Sequence, residues 1–345
     1  MARDHDVPST EALERMYEEL KNWGRWGAHD ERGALNHITD DHRRYAAALV
    51  VEGESVSLAH NLATEPLPEN PNVVQHHMLA SGDARDSNGI PGYEAARDYL
   101  ALDLHGLSTT HVDALSHMFV RGEMFGGRPA SEVRSDGARA NTVLSMADGV
   151  VGRGVLLDIP RALGSDFLDS GEVVSVADLE LAETSQHVVV GPGDVLIVAW
   201  GRHARREAKN AFDGFSGLHA ECLPWLQERQ VAVLGSDGIS DPMPFVGTGQ
   251  WPFPVHQIGI TAMGLHLIDN VATARLSEQC AALDRWEFLF TMAPLRIVRG
   301  TGCPVNPLAV LLTTGRSCGP CSNAMPGRST IGISTPSLPC SIPRR

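Results

Sequence analysis

The sequence has no feature that would direct it to a membrane or to nucleic acid. The first 21 residues, MARDHDVPSTEALERMYEELK, do not contain the apolar core of a secretory signal, and no apolar run reaches the length of about 18 residues that a membrane helix needs. We therefore expect a cytoplasmic protein without a membrane partner. The 28 Lys and Arg are outnumbered by 42 Asp and Glu, the formal net charge is −14, and no basic cluster stands out. Because the protein surfaces that bind nucleic acid are positively charged, we expect no nucleic-acid partner.

Several catalytic motifs are also missing. No G-x-S-x-G elbow is present, which disfavours a serine hydrolase. No G-x-G-x-x-G follows a strand, which disfavours a dinucleotide site. Six cysteines, four of them after residue 300, do not form a disulfide framework in a chain of this length. Cys318 and Cys321 have thioredoxin-type C-x-x-C spacing, but no strand followed by a helix is apparent around them, so a thiol redox protein is only a third hypothesis.

The composition is that of a globular protein with mixed secondary structure. The 345 residues are 43% hydrophobic and 20% charged, enough for one large domain or two. Candidate helices and strands alternate, which favours α/β or α+β over all-α. The helices are predicted at 10–22, 39–50, after 175, at 218–229 and at 256–270, and the strands at 55–62, 149–160, 193–200, 231–241 and 288–297. Residues 66–93, which include His77, are predicted to form a long irregular loop of the kind that often walls a pocket.

Residues 104–119, LHGLSTTHVDALSHMF, carry the densest group of metal-ligand residue types. His111 and Asp113 are two residues apart, so on a strand they project to the same side. His117 could reach them if the chain turns just before it. Two imidazoles and one carboxylate suit Zn²⁺ or Mn²⁺ with further ligands from elsewhere, although they could also be polar residues of a half-exposed strand.

Three stretches together resemble the metal-dependent cyclase family, which includes bacterial kynurenine formamidase, isatin hydrolase and trans-dienelactone hydrolase. They are WGAHDERGALNHIT, the THVDALSH element, which is similar to H-x-G-T-H-x-D-x-P-x-H, and the run from PVHQIGI to GLHLIDN. The resemblance implies an α/β fold, the swivelling β/β/α domain, with a mixed sheet and flanking helices. It also implies a homodimer or homotetramer. We expect an N-terminal helical arm at 1–22, the cyclase-like domain at 23–310 and a tail at 311–345. The tail has no Asp or Glu and no apolar periodicity, which predicts disorder, and the resemblance ends before it, which makes it look appended.

The resemblance also implies a set of ligands for one or two divalent ions. The family's His and Asp fall on His111 and Asp113, with the Asp able to bridge two ions, and the last motif His falls on His117, as ligand and proton shuttle. The downstream ligands fall on His256 and on Asp269, which replaces the family's usual Glu. The family's first His falls on a leucine, Leu107.

The nearest replacement for that missing ligand is His105. On a regular strand, the six residues from His105 to His111 span roughly 20 Å. His105 can therefore bind the same ion only if a turn or bulge intervenes. His266, on the same predicted helix as Asp269, is expected to be a packing residue or to support a ligand.

These groups predict hydrolysis by an activated water molecule. A bound divalent metal lowers the pKa of its water to about 7 and polarises a carbonyl. We therefore expect a hydrolase of a small amide, cyclic amide, lactone or N-formyl aromatic amine, with His117, His111 and Asp113 as catalytic residues. The alternatives are a cyclase that runs the reverse ring closure, and a metal-binding structural member that has lost catalysis.

Asp237, just past a buried strand, is either a functional group or a turn stabiliser.

Overall fold

A computed structural model describes residues 7–50, 53–85, 89–209, 212–244 and 248–311. These described residues belong to one compact unit. Nearly all of the predicted tail, including Cys318 and Cys321, lies outside the described residues. The redox hypothesis and the boundaries of the arm, domain and tail therefore stay predictions.

The described ranges contain eight α-helices. They are α1 (Thr10–Glu19), α2 (Asp40–Ala48), α3 (Ile159–Leu163), α4 (Val176–Ser185), α5 (Arg202–Lys209), α6 (Cys222–Glu228), α7 (Pro254–Ile258) and α8 (Ala274–Leu283). The predicted helix starts coincide with caps: the Ser9 hydroxyl accepts a hydrogen bond from the main chain of α1, and the Ser175 hydroxyl does the same for α4. None of the helices that the structure describes is long and apolar enough to cross a membrane.

The same ranges contain seventeen strands, several of them only two residues long. They are β1 (Glu54–Ser57), β2 (Gln75–Ala80), β3 (Arg97–Ala101), β4 (His111–Asp113), β5 (Glu123–Met124), β6 (Arg128–Pro129), β7 (Val133–Arg134), β8 (Gly137–Ala138), β9 (Val150–Asp158), β10 (Val173–Val174), β11 (Val195–Ala199), β12 (Gly217–Leu218), β13 (Val233–Ser236), β14 (His266–Asp269), β15 (Glu287–Met292), β16 (Gly302–Pro304) and β17 (Leu308–Leu311).

Nine of these strands form one mixed sheet in the order β1-β17-β15-β9-β11-β13-β14-β4-β16. Strands β9, β11, β13 and β14 are mutually parallel, and the strands on either side of them pair antiparallel. Every residue of β11 and β13 is buried, as the apolar sequences of these strands predict for a sheet covered on both faces. The α/β class with a mixed sheet and flanking helices is therefore confirmed.

Two sequence predictions are wrong in detail. The helix predicted at 256–270 ends early: α7 continues into a π-helical turn at Gly259–Met263 and stops at Gly264, whose φ of 68° is left-handed. His266 and Asp269 then lie on the buried strand β14 instead of a helix, because an apolar HLID segment fits a sheet interior equally well.

The loop predicted at 66–93 contains strand β2, which pairs with β3 as an antiparallel hairpin. His77 lies on this hairpin and stacks on Tyr99, with 6.2 Å between the ring centroids.

Candidate metal centre

Strand β4 places the first two candidate ligands. His111 and Asp113 are both buried and project to one side of the strand, as their spacing predicts. In the antiparallel pairing of β4 with β14, His111 lies opposite Asp269. The pairing therefore brings a third candidate ligand beside the first two, although Asp269 lies 156 positions after Asp113 in the chain.

His105 reaches the same carboxylate because the chain before β4 is not a strand. Its Nδ1 lies 3.0 Å from Asp113 Oδ1. The loop is held in its folded shape by the Asn270 amide, whose Nδ2 donates to the carbonyl oxygens of Gly106 at 2.8 Å and Thr109 at 3.0 Å. The turn that His105 needs is therefore present. Leu107 contributes only its main-chain oxygen, to the Arg202 guanidinium.

His117 returns to the cluster through the tight turn that follows β4. Its main-chain nitrogen donates to the oxygen of Ala114 at 2.9 Å. Its Nε2 lies 4.0 Å from Asp113 Oδ2, and its ring stacks on His105 with 4.0 Å between centroids and 13° between planes. About a quarter of its side chain is exposed, so His117 lies at the accessible side of the cluster.

His256 enters from α7 on the other side of the same carboxylate. Its Nε2 lies 3.7 Å from Asp113 Oδ2 and 3.3 Å from Asp269 Oδ2. Two groups of potential ligands result, His105–His111–Asp113 and Asp113–His256–Asp269, and within each group the ligand atoms lie within 4.8 Å of one another. Asp113 belongs to both groups and lies between them.

The cluster has the donors that a divalent cation requires. Among the described residues, Asp113 Oδ2 and Asp269 Oδ1 are buried and have no hydrogen-bond partner. A buried carboxylate oxygen without a partner is costly, and a cation would remove that cost. Imidazole nitrogens and carboxylate oxygens are the ligands that Zn²⁺ and Mn²⁺ accept. The residues therefore fit such an ion.

The carboxylates and imidazoles of the cluster shift one another's pKa. Burial alone would raise the pKa of Asp113, but the imidazoles of His117, His105 and His111 outweigh it and hold the pKa below its ordinary value. Burial lowers the pKa of His117 to about 4, against the opposing charge of Asp113. Burial would also lower the pKa of His256, but Asp269 and Asp241 raise it well above its ordinary value.

Asp241 is a site residue that the sequence analysis did not identify. Its carboxylate accepts hydrogen bonds from His256 Nδ1 at 2.7 Å and from the main-chain nitrogens of Val255 and His256. This fixes the ring so that Nε2 faces Asp113 and Asp269. The sequence signal, an Asp fifteen residues before a His, has no spacing rule that would distinguish it.

Two other expected residues belong to neither ligand group. Asp237 accepts hydrogen bonds from the main-chain nitrogens of Trp200, Gly201 and Arg202, which is the turn-stabilising role. His266 is buried, and its Nδ1 lies 3.0 Å from the main-chain oxygen of Asp113. This contact fits the expectation that His266 packs beside a ligand and supports it.

Comparisons with known proteins point to one family. The family model "Putative cyclase" matches residues 55–241. A crystal structure of a novel cyclase is 30% identical with a TM-score of 0.75, over 84% of this chain and 99% of that chain. The isatin hydrolase of Roseibium aggregatum is 27% identical over 142 residues, 39% of this chain and 51% of the relative. The match therefore spans about half the length of that curated relative. A crystal structure of an isatin hydrolase bound to the product analogue thioisatinate is 22% identical with a TM-score of 0.54, over 75% of this chain and 93% of that chain, and shows likeness of fold.

Proposed function

Because this chain belongs to the cyclase family, we propose that it is a metal-dependent hydrolase of a small amide, cyclic amide or lactone. The observation that carries the proposal is the position of Asp113. One of its oxygens faces His105 and His111, and the other faces His256, with Asp269 completing the second group. An arrangement of this kind suits one cation on each side of a shared carboxylate.

The ligands of the two positions follow from these contacts. His105, His111 and Asp113 would hold one ion, and Asp113, His256 and Asp269 would hold the other, with Zn²⁺ or Mn²⁺ as candidates. A bound ion of this type polarises a carbonyl and lowers the pKa of a water molecule. His111 Nδ1 donates to the Thr109 oxygen at 2.8 Å, which leaves Nε2 as a free lone pair on the side of Asp113.

His117 is the candidate proton carrier. Burial lowers its pKa to about 4, against the opposing charge of Asp113, so its imidazole is neutral at pH 7. Its partial exposure lets it meet a substrate, and its position 4.0 Å from Asp113 keeps it within the cluster. His117 would take a proton from the attacking water and return it to the leaving nitrogen or oxygen.

The substrate class is supported by the relative that hydrolyses isatin, a cyclic amide. Ring closure of the corresponding open acid is the reverse of the same reaction. The alternative of a metal-binding member without catalysis depended on Leu107 in a ligand position. The approach of His105 to Asp113 weakens that alternative. A homodimer or homotetramer in the cytoplasm stays a proposal, and sedimentation velocity of the purified chain tests the assembly.

The experiment is metal analysis followed by hydrolysis assays on isatin, N-formylkynurenine and simple lactones. We expect that His111→Ala and Asp113→Ala remove both metal content and turnover while the far-UV circular dichroism stays that of the wild type. His77→Ala, on the exposed β2–β3 hairpin, is the matched control and should keep both. Turnover that survives complete chelation would exclude the proposal.

A further inference from the structure

Two neighbouring cavities lie outside the metal cluster. A cavity of about 140 Å³ is lined by Leu168, Trp200, Phe212 and Phe215 together with arginines of α5. It opens beside a cleft of about 650 Å³ whose walls include His60, His203 and Ser108. Arg202 and Arg206 line both spaces. Among the described residues, no member of the metal cluster lines either one.

The smaller cavity is large enough for an aromatic ring, and cationic side chains line it. An apolar cavity of about 150 Å³ is known to admit benzene. Here the aromatic wall also carries Arg202, whose guanidinium carbon lies 4.4 Å from the Phe215 ring centroid. Arg202 is held rigidly, since it donates to Asn270 Oδ1 at 2.6 Å and to the oxygen of Leu107. A planar apolar group and a negative charge would both find partners in this space.

The protein already contains a carboxylate bound to these arginines. Glu69 has only 3% of its side chain exposed, and its Oε1 lies 2.7 Å from Arg206 Nη1 and 3.8 Å from Arg202 Nη2. Arg206 is about half exposed and uses one terminal nitrogen in that pair, so further donors remain for a ligand. Arg205 differs, because Asp169 and Asp213 pair with it from outside the cavity. Arg206 and Arg202 are therefore the arginines that a ligand would use.

Three further charged residues face this space. Asp237 is occupied by three main-chain nitrogens, and Glu207 pairs with His203 at 3.5 Å on the exposed side of α5. Arg275, across the cleft, pairs with Glu54 at 3.3 Å. Glu69 is thus the acid that a ligand carboxylate would have to share or displace.

We propose that this cavity is a binding site for a small aromatic carboxylate, with the ring against Phe212 and Phe215 and the carboxylate on Arg206 and Arg202. The ligand class follows from the lining and does not depend on the metal chemistry. The site contacts the loop before β4 that carries His105. Ser108 of that loop lines the cleft, and the main-chain oxygen of Leu107 accepts a hydrogen bond from Arg202.

The first experiment is calorimetric titration of benzoate into the wild type and into Asp113→Ala. We expect equal affinity in both proteins, and at least tenfold weaker binding of benzyl alcohol, which has no charge, and of acetate, which has no ring. If benzoate does not bind, or binds no better than benzyl alcohol, the proposal is wrong. Loss of benzoate binding in Asp113→Ala would assign it to the metal cluster instead and would also overturn the proposal.

The second experiment uses one substitution that should weaken benzoate binding and one that should strengthen it. Arg206→Gln should weaken the binding of benzoate at least tenfold, which is about 1.4 kcal/mol, because it removes a charged hydrogen-bond donor to the ligand carboxylate. Glu69→Gln should strengthen it severalfold by removing the competing carboxylate. Lys209→Gln on the same helix and Glu65→Gln on the same loop are matched controls. Weaker binding in Glu69→Gln, in protein whose circular dichroism is unchanged, would contradict the proposal.

Discussion

His256 Nδ1 lies 2.7 Å from Asp241 Oδ2, and this contact orients the imidazole that approaches Asp113 and Asp269. The same carboxylate caps the first turn of α7 through the main-chain nitrogens of Val255 and His256. One side chain therefore fixes both the helix that carries the histidine and the rotation of its ring.

Asp241→Asn should weaken metal binding about 10- to 100-fold, since residues that orient a metal ligand have effects of that size. The amide can replace the acceptor oxygen but not its charge. Metal affinity measured by competition with a chromophoric chelator tests this. Asp98→Asn, which alters an exposed partner of His76, is the control and should change nothing. An unchanged affinity in Asp241→Asn would show that the contact only stabilises the helix.

The variants Asp113→Ala and Asp269→Ala should differ in the number of metal ions they bind. Asp113 belongs to both ligand groups and Asp269 to one, so Asp113→Ala should lose both ions and Asp269→Ala should keep one. Elemental analysis of the dialysed proteins gives the ratio of metal to protein. Equal metal content in the two variants would contradict a shared carboxylate.

Metal should stabilise the folded wild type and leave Asp113→Ala unaffected. A ligand that binds only the folded state stabilises it by about 2.7 kcal/mol at a hundredfold excess over its Kd. Thermal unfolding of the metal-free protein, prepared by chelation and dialysis, with and without added Zn²⁺ or Mn²⁺ measures the shift in Tm. A shift of the same size in Asp113→Ala would place the stabilising ion elsewhere.

Gly154→Ala should destabilise the sheet by about 1–3 kcal/mol, the usual cost of overpacking a core. A Cβ on Gly154 would lie 2.1 Å from an atom of the buried Phe288 ring on the adjacent strand. Urea unfolding measures the change. Gly82→Ala, where a Cβ would meet nothing within 4 Å, is the matched control.

His37 should make stability depend on pH between about 6.5 and 4. Burial lowers its pKa from 6.5 to about 4, and Arg25 and His42 add to the shift. The unfolded chain therefore binds the proton first as the pH falls, and the folded state loses stability in this window. Urea unfolding at pH 7 and pH 5 should show a smaller difference in His37→Gln than in the wild type. The exposed His29→Gln should retain the wild-type difference.

The sequence predicted the central strands well because their apolar runs are long and bounded by turn residues. It also predicted that His111 and Asp113 share a side, which follows from strand geometry alone. It could not place His105, because the turn depends on hydrogen bonds from Asn270, far away in the chain. It misassigned the segment of His266 and Asp269, because an isolated buried strand and a buried helix have the same apolar composition.

The pairing of β4 with β14 also bears on how the protein folds. Asp113 lies on β4 and Asp269 on β14, and the segments that form the parallel strands β9, β11 and β13 lie between these two strands in the chain. Contacts so distant in sequence form slowly, and a ligand set of this kind does not exist in the unfolded chain. Uptake of the cation would therefore be among the last events of refolding, and a metal-sensitive dye would time the completion of the sheet.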